Sequence, residues 1–229
     1  MKIQSKRSKT FDHQLLPEIS LSESYVDGKR FYSTPEKKKY PSVTTVLGSV
    51  MDKTKLIEWQ ERVGKEEANN IKRRAANRGT KLHKVCEDYV LNKDNFLEGH
   101  SPLTIDLFKQ VQPYIDRNIE IVYGVEIPLY SDFLMTAGRS DIFCKMKGQN
   151  VIVDYKTSTK PKKEEWIENY FLQLSTYAIM VEERYDIKVP YIVVVIANEE
   201  GEPQTFPKKV SEYREKVIDI FRNYSKELL

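Results

Sequence analysis

The spacing of apolar residues in the first half of the chain predicts helices. Apolar side chains recur every three or four positions over about residues 54–69, 71–91 and 103–117, which is the spacing of one helix face. Gly79 interrupts the second segment and predicts a bend or a close packing contact there. We therefore expect a helical N-terminal portion.

After residue 119 the pattern changes to the alternation that is typical of strands. The predicted strands are Glu120–Tyr130, Leu134–Met146, Val151–Lys156 and Tyr191–Ala197, with a turn at Lys147–Asn150. A helix is expected to begin at Pro161 and to extend to about Tyr185, and a last amphipathic helix is expected within residues 207–229. This order predicts an α/β domain with a central mixed sheet flanked by helices.

The first 40 residues show no sustained periodicity. Asp27-Gly28 separates Ser24–Val26 from Arg30–Tyr32, as the turn of a small hairpin would. We therefore expect an N-terminal extension over residues 1–40 and a single domain over residues 41–229. Within that domain, residues 41–118 are predicted to form the helical part, 119–200 the sheet and 207–229 the C-terminal helix.

Cysteine usage and hydropathy exclude several classes of protein. Cys86 and Cys144 are the only cysteines, so the chain cannot hold a disulfide framework, a four-cysteine zinc site or a four-cysteine iron–sulfur cluster. Two lone cysteines fit a reducing, cytoplasmic setting. The longest apolar stretch, Val189–Ala197, is too short to span a bilayer, so no membrane partner is expected. The basic segment Met1–Thr10 lacks the apolar run of a secretory signal.

Basic residues are concentrated in two segments, although the net charge is only +3. Residues 71–84 contain six lysines and arginines and no acid, and residues 155–163 contain four lysines and no acid. Such local excess predicts a positive field for a polyanion, of which a nucleic acid is the obvious example. The alternative interpretation is a solvated helix face.

Two carboxylates and a lysine occupy neighbouring strands of the predicted sheet. Because side chains alternate along a strand, Asp154 and Lys156 point to the same face, and a hairpin would bring Asp141 alongside them. Buried carboxylates need a partner, and a hard divalent cation would supply one. Such an ion also activates water and polarises a phosphoryl oxygen. A structural salt bridge between Asp154 and Lys156 is the alternative.

These positions form part of a longer motif. Gly138-x-x-Asp141 followed by Asp154-x-Lys156 resembles motifs II and III of the RecB-like branch of the PD-(D/E)xK nuclease superfamily. That branch also has an upstream helical histidine, here His83, and a downstream Gln-x-x-x-Tyr, here Gln173 and Tyr177. Within the branch, the segments around Tyr40–Leu47, Trp59 and Asp154–Ser158 are most similar to the mitochondrial genome maintenance exonucleases and their phage relatives.

The resemblance implies a restriction-endonuclease-like core and a metal centre that holds Mg²⁺ or Mn²⁺. In the family's terms, Asp141, Asp154 and the Tyr155 carbonyl would be metal ligands, and Lys156 would orient the attacking water. His83 would be a further ligand or a partner that holds a ligand in place, and Gln173 and Tyr177 would face the catalytic groove. A buried structural histidine and a core glutamine–tyrosine pair remain the alternatives. Glu126 either assists the metal site or faces solvent.

Other side chains are candidates for contact with nucleic acid. Arg73, Arg74 and Arg78 precede His83 on one helical segment, where they could lead a phosphate backbone towards the metal. Lys160 belongs to the second basic segment. Ser42 and Thr44 could offer hydroxyl groups to phosphates, although an ordinary strand or turn role is the alternative.

The resemblance implies an exonuclease acting on single-stranded DNA with a free end, in replication, recombination or repair, in a phage, a bacterium or a mitochondrion. A helicase, a polymerase or a single-strand-binding protein would be its natural partner. A structure-specific or nicking endonuclease is the rival enzyme. A non-catalytic nucleic-acid-binding module would lack at least one catalytic position, and none is missing here. No nucleotide-binding G-x-x-x-x-G-K-[ST] motif occurs.

Overall fold

The computed structural model describes residues 7–227, with the side chain of residue 227 excepted. The N-terminal strands and helices are β1 (Asp12–His13), β2 (Ser22–Val26), β3 (Lys29–Ser33), β4 (Lys39–Pro41), α1 (Val43–Val50), α2 (Thr54–Val63), α3 (Lys65–Val90) and α4 (Pro102–Asn118). They are followed by β5 (Ile119–Ser131), β6 (Thr136–Met146), β7 (Gln149–Ser158), α5 (Glu168–Tyr185), β8 (Tyr191–Asn198), β9 (Gln204–Lys209) and α6 (Arg214–Glu227).

A six-stranded mixed sheet, in the order β1-β5-β6-β7-β8-β9, organises the molecule. Strands β5, β6 and β7 form an antiparallel meander, whereas β7 and β8 are parallel because α5 carries the chain back between them. One face of the sheet packs on α1, α5 and α6, and the other face packs on α3 and α4. The predicted α/β class, with a central mixed sheet flanked by helices, is confirmed.

The turn between β6 and β7 sets the register of the two strands, and this register decides where Asp141 and Asp154 lie relative to each other. Lys147 and Gly148 both have positive φ (48° and 73°), the conformation of a two-residue turn that matches strand twist. The ladder that starts there ends at the pair Ile142–Val153. One further step in the same register places Asp141 opposite Asp154.

The N-terminal hairpin was also predicted correctly. Strands β2 and β3 pair around Asp27 and Gly28, whose φ values are 49° and 73°. Strand β4, which was not predicted, completes a separate three-stranded sheet. The domain boundary between residues 40 and 41 stays a prediction; β4 crosses it, and β1 pairs with β5 of the central sheet.

Two predictions about the helical part were wrong. The break between α2 and α3 falls at Gly64, whose φ of 84° ends one helix and redirects the chain before the next. Helix α3 therefore begins at Lys65 and not near residue 71. Gly79 does not interrupt α3, and a methyl group there would meet only Thr157 Oγ1, at an ordinary 3.9 Å.

The starts of the helices α5 and α6 also differ from the predictions. Pro161 does not open a helix: a single 3₁₀ turn at Glu164–Trp166 precedes α5, which begins at Glu168. Residues 207–209 belong to the edge strand β9, and α6 begins only at Arg214. Helix α1 was not predicted, because its apolar residues follow Tyr40 and Pro41 without a clear period. Leu228, expected in the last helix, lies outside the described residues.

Across residues 7–227, no helix combines the length and the hydropathy that crossing a bilayer requires. This agrees with the absence of a long apolar stretch from the sequence. The reducing setting inferred from the two cysteines stays a prediction, although both thiols are free and buried.

Candidate active site

Two carboxylates meet where the β6–β7 ladder ends. The Asp141 carboxylate, through Oδ2, accepts a hydrogen bond of 2.9 Å from the Tyr155 backbone N–H, which the ladder leaves without a strand partner. The side chains of Asp141 and Asp154 are only 13% and 3% exposed. Burial and the neighbouring Asp141 charge raise the pKa of Asp154 to about 6. Two like charges so placed require a positive partner.

His83 supplies one positive group from helix α3. Its Nδ1 lies 3.3 Å from Asp141 Oδ2, and its side chain is about one-quarter exposed, at 27%. Burial alone would lower the pKa of His83, but the charge and the hydrogen bond of Asp141 raise it to about 9. The predicted site histidine therefore contacts the predicted site carboxylate, and it is not enclosed in the apolar core.

Glu126 joins the same cluster, a position that the sequence left undecided. Its φ of 48° is unusual for a strand residue, and its neighbours Val125 and Ile127 pair with Ile142 and Ser140. This left-handed conformation costs about 1–2 kcal/mol. Burial and the Asp141 charge raise the pKa of Glu126 to about 7. Strain and a perturbed carboxyl at one position indicate a functional role.

Ligand atoms of His83, Glu126 and Asp141 all lie within 4.8 Å of one another. One imidazole nitrogen and two carboxylate oxygens suit a hard or borderline divalent cation such as Mg²⁺ or Mn²⁺. Asp154 lies outside this group of three, and its Oδ2 forms an ion pair with Lys156. The donor set therefore fits a divalent cation.

Lys156 lies between Asp154 and an aromatic ring. Its Nζ is 5.1 Å from the centre of the Tyr170 ring, and its side chain is 19% exposed. Burial lowers the pKa of Lys156, but the Asp154 and Asp141 charges outweigh burial and raise it above its ordinary value. The lysine stays protonated, as both interpretations of the sequence require. Tyr170 was not anticipated, since nothing in its helical spacing distinguishes it from a core residue.

Gln173 and Tyr177 lie one turn apart on α5 and reach the same region. Gln173 Nε2 and the Tyr177 hydroxyl are 3.5 Å apart, at the limit of a hydrogen bond. A Cβ at Gly138 would lie 2.9 Å from the Tyr177 hydroxyl, so only glycine lets this tyrosine pack beneath β6. The glycine and the tyrosine of the motif are thus two parts of one contact.

A cleft of about 800 Å³ opens over these groups. Helix α3 and strands β5, β6 and β7 contribute to its walls, together with α5 and the N-terminal hairpin. The predicted site residues that line it are His83, Asp141, Asp154, Lys156, Gln173 and Tyr177. Sequence reasoning missed Arg30 and Tyr32 there, because a β-hairpin arm carries no motif that indicates what it packs against. It also missed Arg139, which alternation along β6 places on the same side as Asp141.

The three arginines of α3 occupy different places. Arg73 is exposed on about the same helix face as Ala76 and Thr80, which line the cleft. Arg74 is also exposed, but it points about half a turn away from His83. Arg78 is largely buried in an ion pair with Glu199 and donates a hydrogen bond of 3.2 Å to Thr159. By helical spacing, Arg73 alone of the three lies on the cleft side of α3, and it stands outside the cleft lining itself.

The remaining predicted contacts are scattered. Ser42 is buried and caps α1, with its hydroxyl accepting a hydrogen bond of 3.1 Å from the Thr45 N–H. Thr44 is exposed, and its hydroxyl accepts a hydrogen bond of 3.2 Å from Arg30. Lys160 is exposed and lies 3.8 Å from Glu200. Contact with nucleic acid at these positions stays a prediction.

Comparison with known proteins identifies relatives. A family model described as the PD-(D/E)XK nuclease superfamily matches residues 29–228. A Mus musculus protein called mitochondrial genome maintenance exonuclease 1 is 25% identical over 180 residues, which are 73% of this chain and 52% of that protein. The Homo sapiens protein of the same name is 24% identical over 175 residues, 71% of this chain and 50% of its own length.

The chain thus spans about half the length of these curated relatives. A solved structure described as an exonuclease, from Eubacterium rectale, superposes with a TM-score of 0.41 and 12% identity. It covers 65% of this chain and 68% of that one, and the overlap is too loose to carry an argument. The family match over residues 29–228 is the finding that agrees with the predicted restriction-endonuclease-like core.

The Gly138–Tyr177 contact generates a stability prediction. Gly138→Ala should lower the free energy of unfolding by about 1–3 kcal/mol, because the added methyl group overlaps the Tyr177 ring. Gly48→Ala is the matched control: Gly48 lies in α1 with no atom within 4 Å of the added methyl group, so the change should stabilise by up to about 1 kcal/mol. Urea denaturation measures both, and equal effects would refute the contact.

The ligand cluster generates a metal-binding prediction. Asp141→Asn and Glu126→Gln should each weaken Mn²⁺ binding more than about tenfold in calorimetry. Protons compete with the cation at Glu126 and His83, so affinity should rise with pH as their pKa values of about 7 and about 9 are approached. Glu87→Gln is the control, since Glu87 lines the same cleft outside the cluster. If Mn²⁺ affinity fell in Glu87→Gln and stayed unchanged in the other two variants, the metal would not bind at the proposed cluster.

Proposed function

The chain belongs to the PD-(D/E)XK nuclease superfamily, and on that premise we propose that it is a metal-dependent DNA exonuclease. Its substrate is single-stranded DNA with a free end, in which it hydrolyses phosphodiester bonds. The observation that carries the proposal is the His83–Glu126–Asp141 cluster, which lies beside the Asp154–Lys156 ion pair on the wall of one cleft. Neither half of this arrangement alone would indicate hydrolysis.

The proposed metal ligands are His83, Glu126, Asp141, Asp154 and the Tyr155 carbonyl. A divalent cation held there supplies charge that polarises a phosphoryl oxygen and makes water more acidic. Asp141 is fixed for this task because the Tyr155 N–H and His83 both contact its Oδ2 atom. Asp154 engages Lys156 through Oδ2, which leaves its other oxygen to act as a ligand.

Lys156 is the proposed group that orients the attacking water and stabilises charge on the phosphate. Asp154 and the Tyr170 ring hold its ammonium group in one place, so little reorganisation is needed when the substrate arrives. Gln173 and Tyr177 extend along the same wall, where an amide and a hydroxyl can donate hydrogen bonds to the DNA backbone. Arg73 offers a phosphate contact at the outer end of α3.

The preference for a single strand is supported by the shape of the cleft. The cleft, of about 800 Å³, is bounded by α3 on one wall and by the N-terminal hairpin on another, and Arg30, Lys84, Arg139 and Lys156 line it. A partly covered groove with basic side chains along it suits a single strand. The names of the two relatives support an exonuclease acting in genome maintenance. Such a role in replication, recombination or repair would place a helicase, a polymerase or a single-strand-binding protein beside it.

Lys156 separates the catalytic interpretation from the structural one. Lys156→Ala and Lys156→Arg should both slow single-turnover cleavage by about a hundredfold or more, because a planar guanidinium cannot replace a compact ammonium at a positioned water. DNA affinity with Ca²⁺ should stay within a few fold of the parent. The assay follows end-labelled single-stranded DNA with Mg²⁺. A near-normal rate for Lys156→Arg would show that this lysine only forms a salt bridge.

The requirement for a free end is tested on the same parent protein. Linear single-stranded DNA should be degraded with Mg²⁺, and a circular strand of the same sequence should remain intact. Labels at either end report the direction of degradation. Rapid cleavage of the circular strand would contradict the exonuclease proposal and would indicate an endonuclease with the same chemistry.

A further inference from the structure

Several charged side chains on the cleft wall take no part in the metal centre, and three of them lie on the hairpin and on β6. Glu23 and Arg30 belong to β2 and β3 of the N-terminal hairpin, and Arg139 belongs to β6. Arg139 and Asp141 point to the same side of β6, because they are two residues apart on a strand. These three side chains therefore stand in the cleft beside the proposed catalytic groups.

Arg30 is held so that its guanidinium faces the cleft. It lies over the buried Tyr32 ring, 5.6 Å from the ring centre, and Nη2 donates a hydrogen bond of 3.2 Å to the Thr44 hydroxyl. Its Nη1 is 3.9 Å from Glu23 Oε2, a loose ion pair in which both side chains are more than one-third exposed (36% and 38%). Such a pair contributes little to stability.

Arg139 is exposed and weakly engaged. Its Nη1 donates to the Glu126 carbonyl at 3.4 Å, which is long for a hydrogen bond. The Glu23 carboxylate accepts a hydrogen bond of 2.6 Å from the Tyr25 hydroxyl, which lowers the pKa of Glu23, and the charge of Arg30 lowers it further. Glu23 is therefore an anion paired with Arg30, and Arg139 lines the same cleft.

We propose that Arg30 and Arg139 receive a backbone phosphate of the bound strand next to the one being cleaved, and that Glu23 occupies this phosphate site in the free protein. The inference rests on the proposed function, since it concerns the same cleft. Arginine guanidinium groups are suited to phosphate oxygens, and a carboxylate is the side-chain anion that resembles them most. A phosphate that enters displaces Glu23 from an ion pair that is already loose.

The N-terminal hairpin then has a direct part in holding the substrate. With this phosphate site, the N-terminal hairpin holds one phosphate of the bound DNA strand while the metal centre acts on the neighbouring phosphate. Thr44, predicted from the sequence as a phosphate contact, would serve by orienting Arg30.

Binding of fluorescein-labelled oligothymidylate, measured by anisotropy with Ca²⁺ over a range of salt concentrations, tests this inference. Arg30→Gln and Arg139→Gln should each weaken binding about fivefold to tenfold and should each lower the slope of log affinity against log salt by about one. Glu23→Gln should do the opposite and strengthen binding by a few fold. Lys29→Gln, on the same hairpin but outside the cleft lining, is the control and should change affinity much less.

Combining the substitutions distinguishes competition from a merely structural ion pair. Glu23→Gln should strengthen binding in the parent but should have no effect when Arg30 and Arg139 are both glutamine. Arg139 and Glu23 are exposed, so these variants should fold, and their melting temperatures report whether they do.

Unchanged affinity in Glu23→Gln and Arg139→Gln, with a parent that binds and cleaves, would overturn this inference and leave the proposed function standing. A parent that neither binds nor cleaves DNA would overturn both.

Discussion

Two buried carboxylates face each other where a hairpin ladder opens, and the rest of the site is arranged around that fact. The Lys147-Gly148 turn fixes the register that places Asp141 opposite Asp154. Like charges directly opposed across a strand pair destabilise a sheet. Here the strands stop pairing, the Tyr155 N–H donates to the Asp141 carboxylate, and one positive group arrives from a helix and another from a strand. His83 comes from one face of the sheet and Lys156 from β7 itself.

The charged cluster is therefore not fully compensated within the protein itself. Without a cation, protonated His83 and Lys156 balance the carboxylates, and the elevated pKa values of Asp154 and Glu126 show that the balance is incomplete. A divalent cation would complete it and would displace the protons. The strained backbone at Glu126 and the space that Gly138 leaves for Tyr177 are local costs of the same arrangement. Natural proteins accept such costs mainly at functional sites.

Much of this could be predicted from the sequence, because the informative patterns are local. Alternation along Val151–Lys156 and the hairpin before it were enough to place Asp141, Asp154 and Lys156 together. Glu126 could not be decided, since its left-handed backbone turns it out of the alternation that its neighbours obey. Pro161 misled because proline opens helices and loops alike, and here it packs against Gly201 before α5 begins. The contribution of the hairpin to the cleft depends on tertiary packing that no local pattern records.

The proposed mechanism depends on a divalent cation bound among His83, Glu126 and Asp141. Diffraction from crystals grown with Mn²⁺, collected at the manganese absorption edge, tests it most directly. We expect one strong anomalous peak at about 2.0–2.5 Å from oxygens of Asp141 and Glu126, with the His83 ring nitrogen completing the contact. An empty site, with His83 still against Asp141 and Lys156 still against Asp154 at saturating Mn²⁺, would contradict the metal centre and the hydrolytic mechanism built on it.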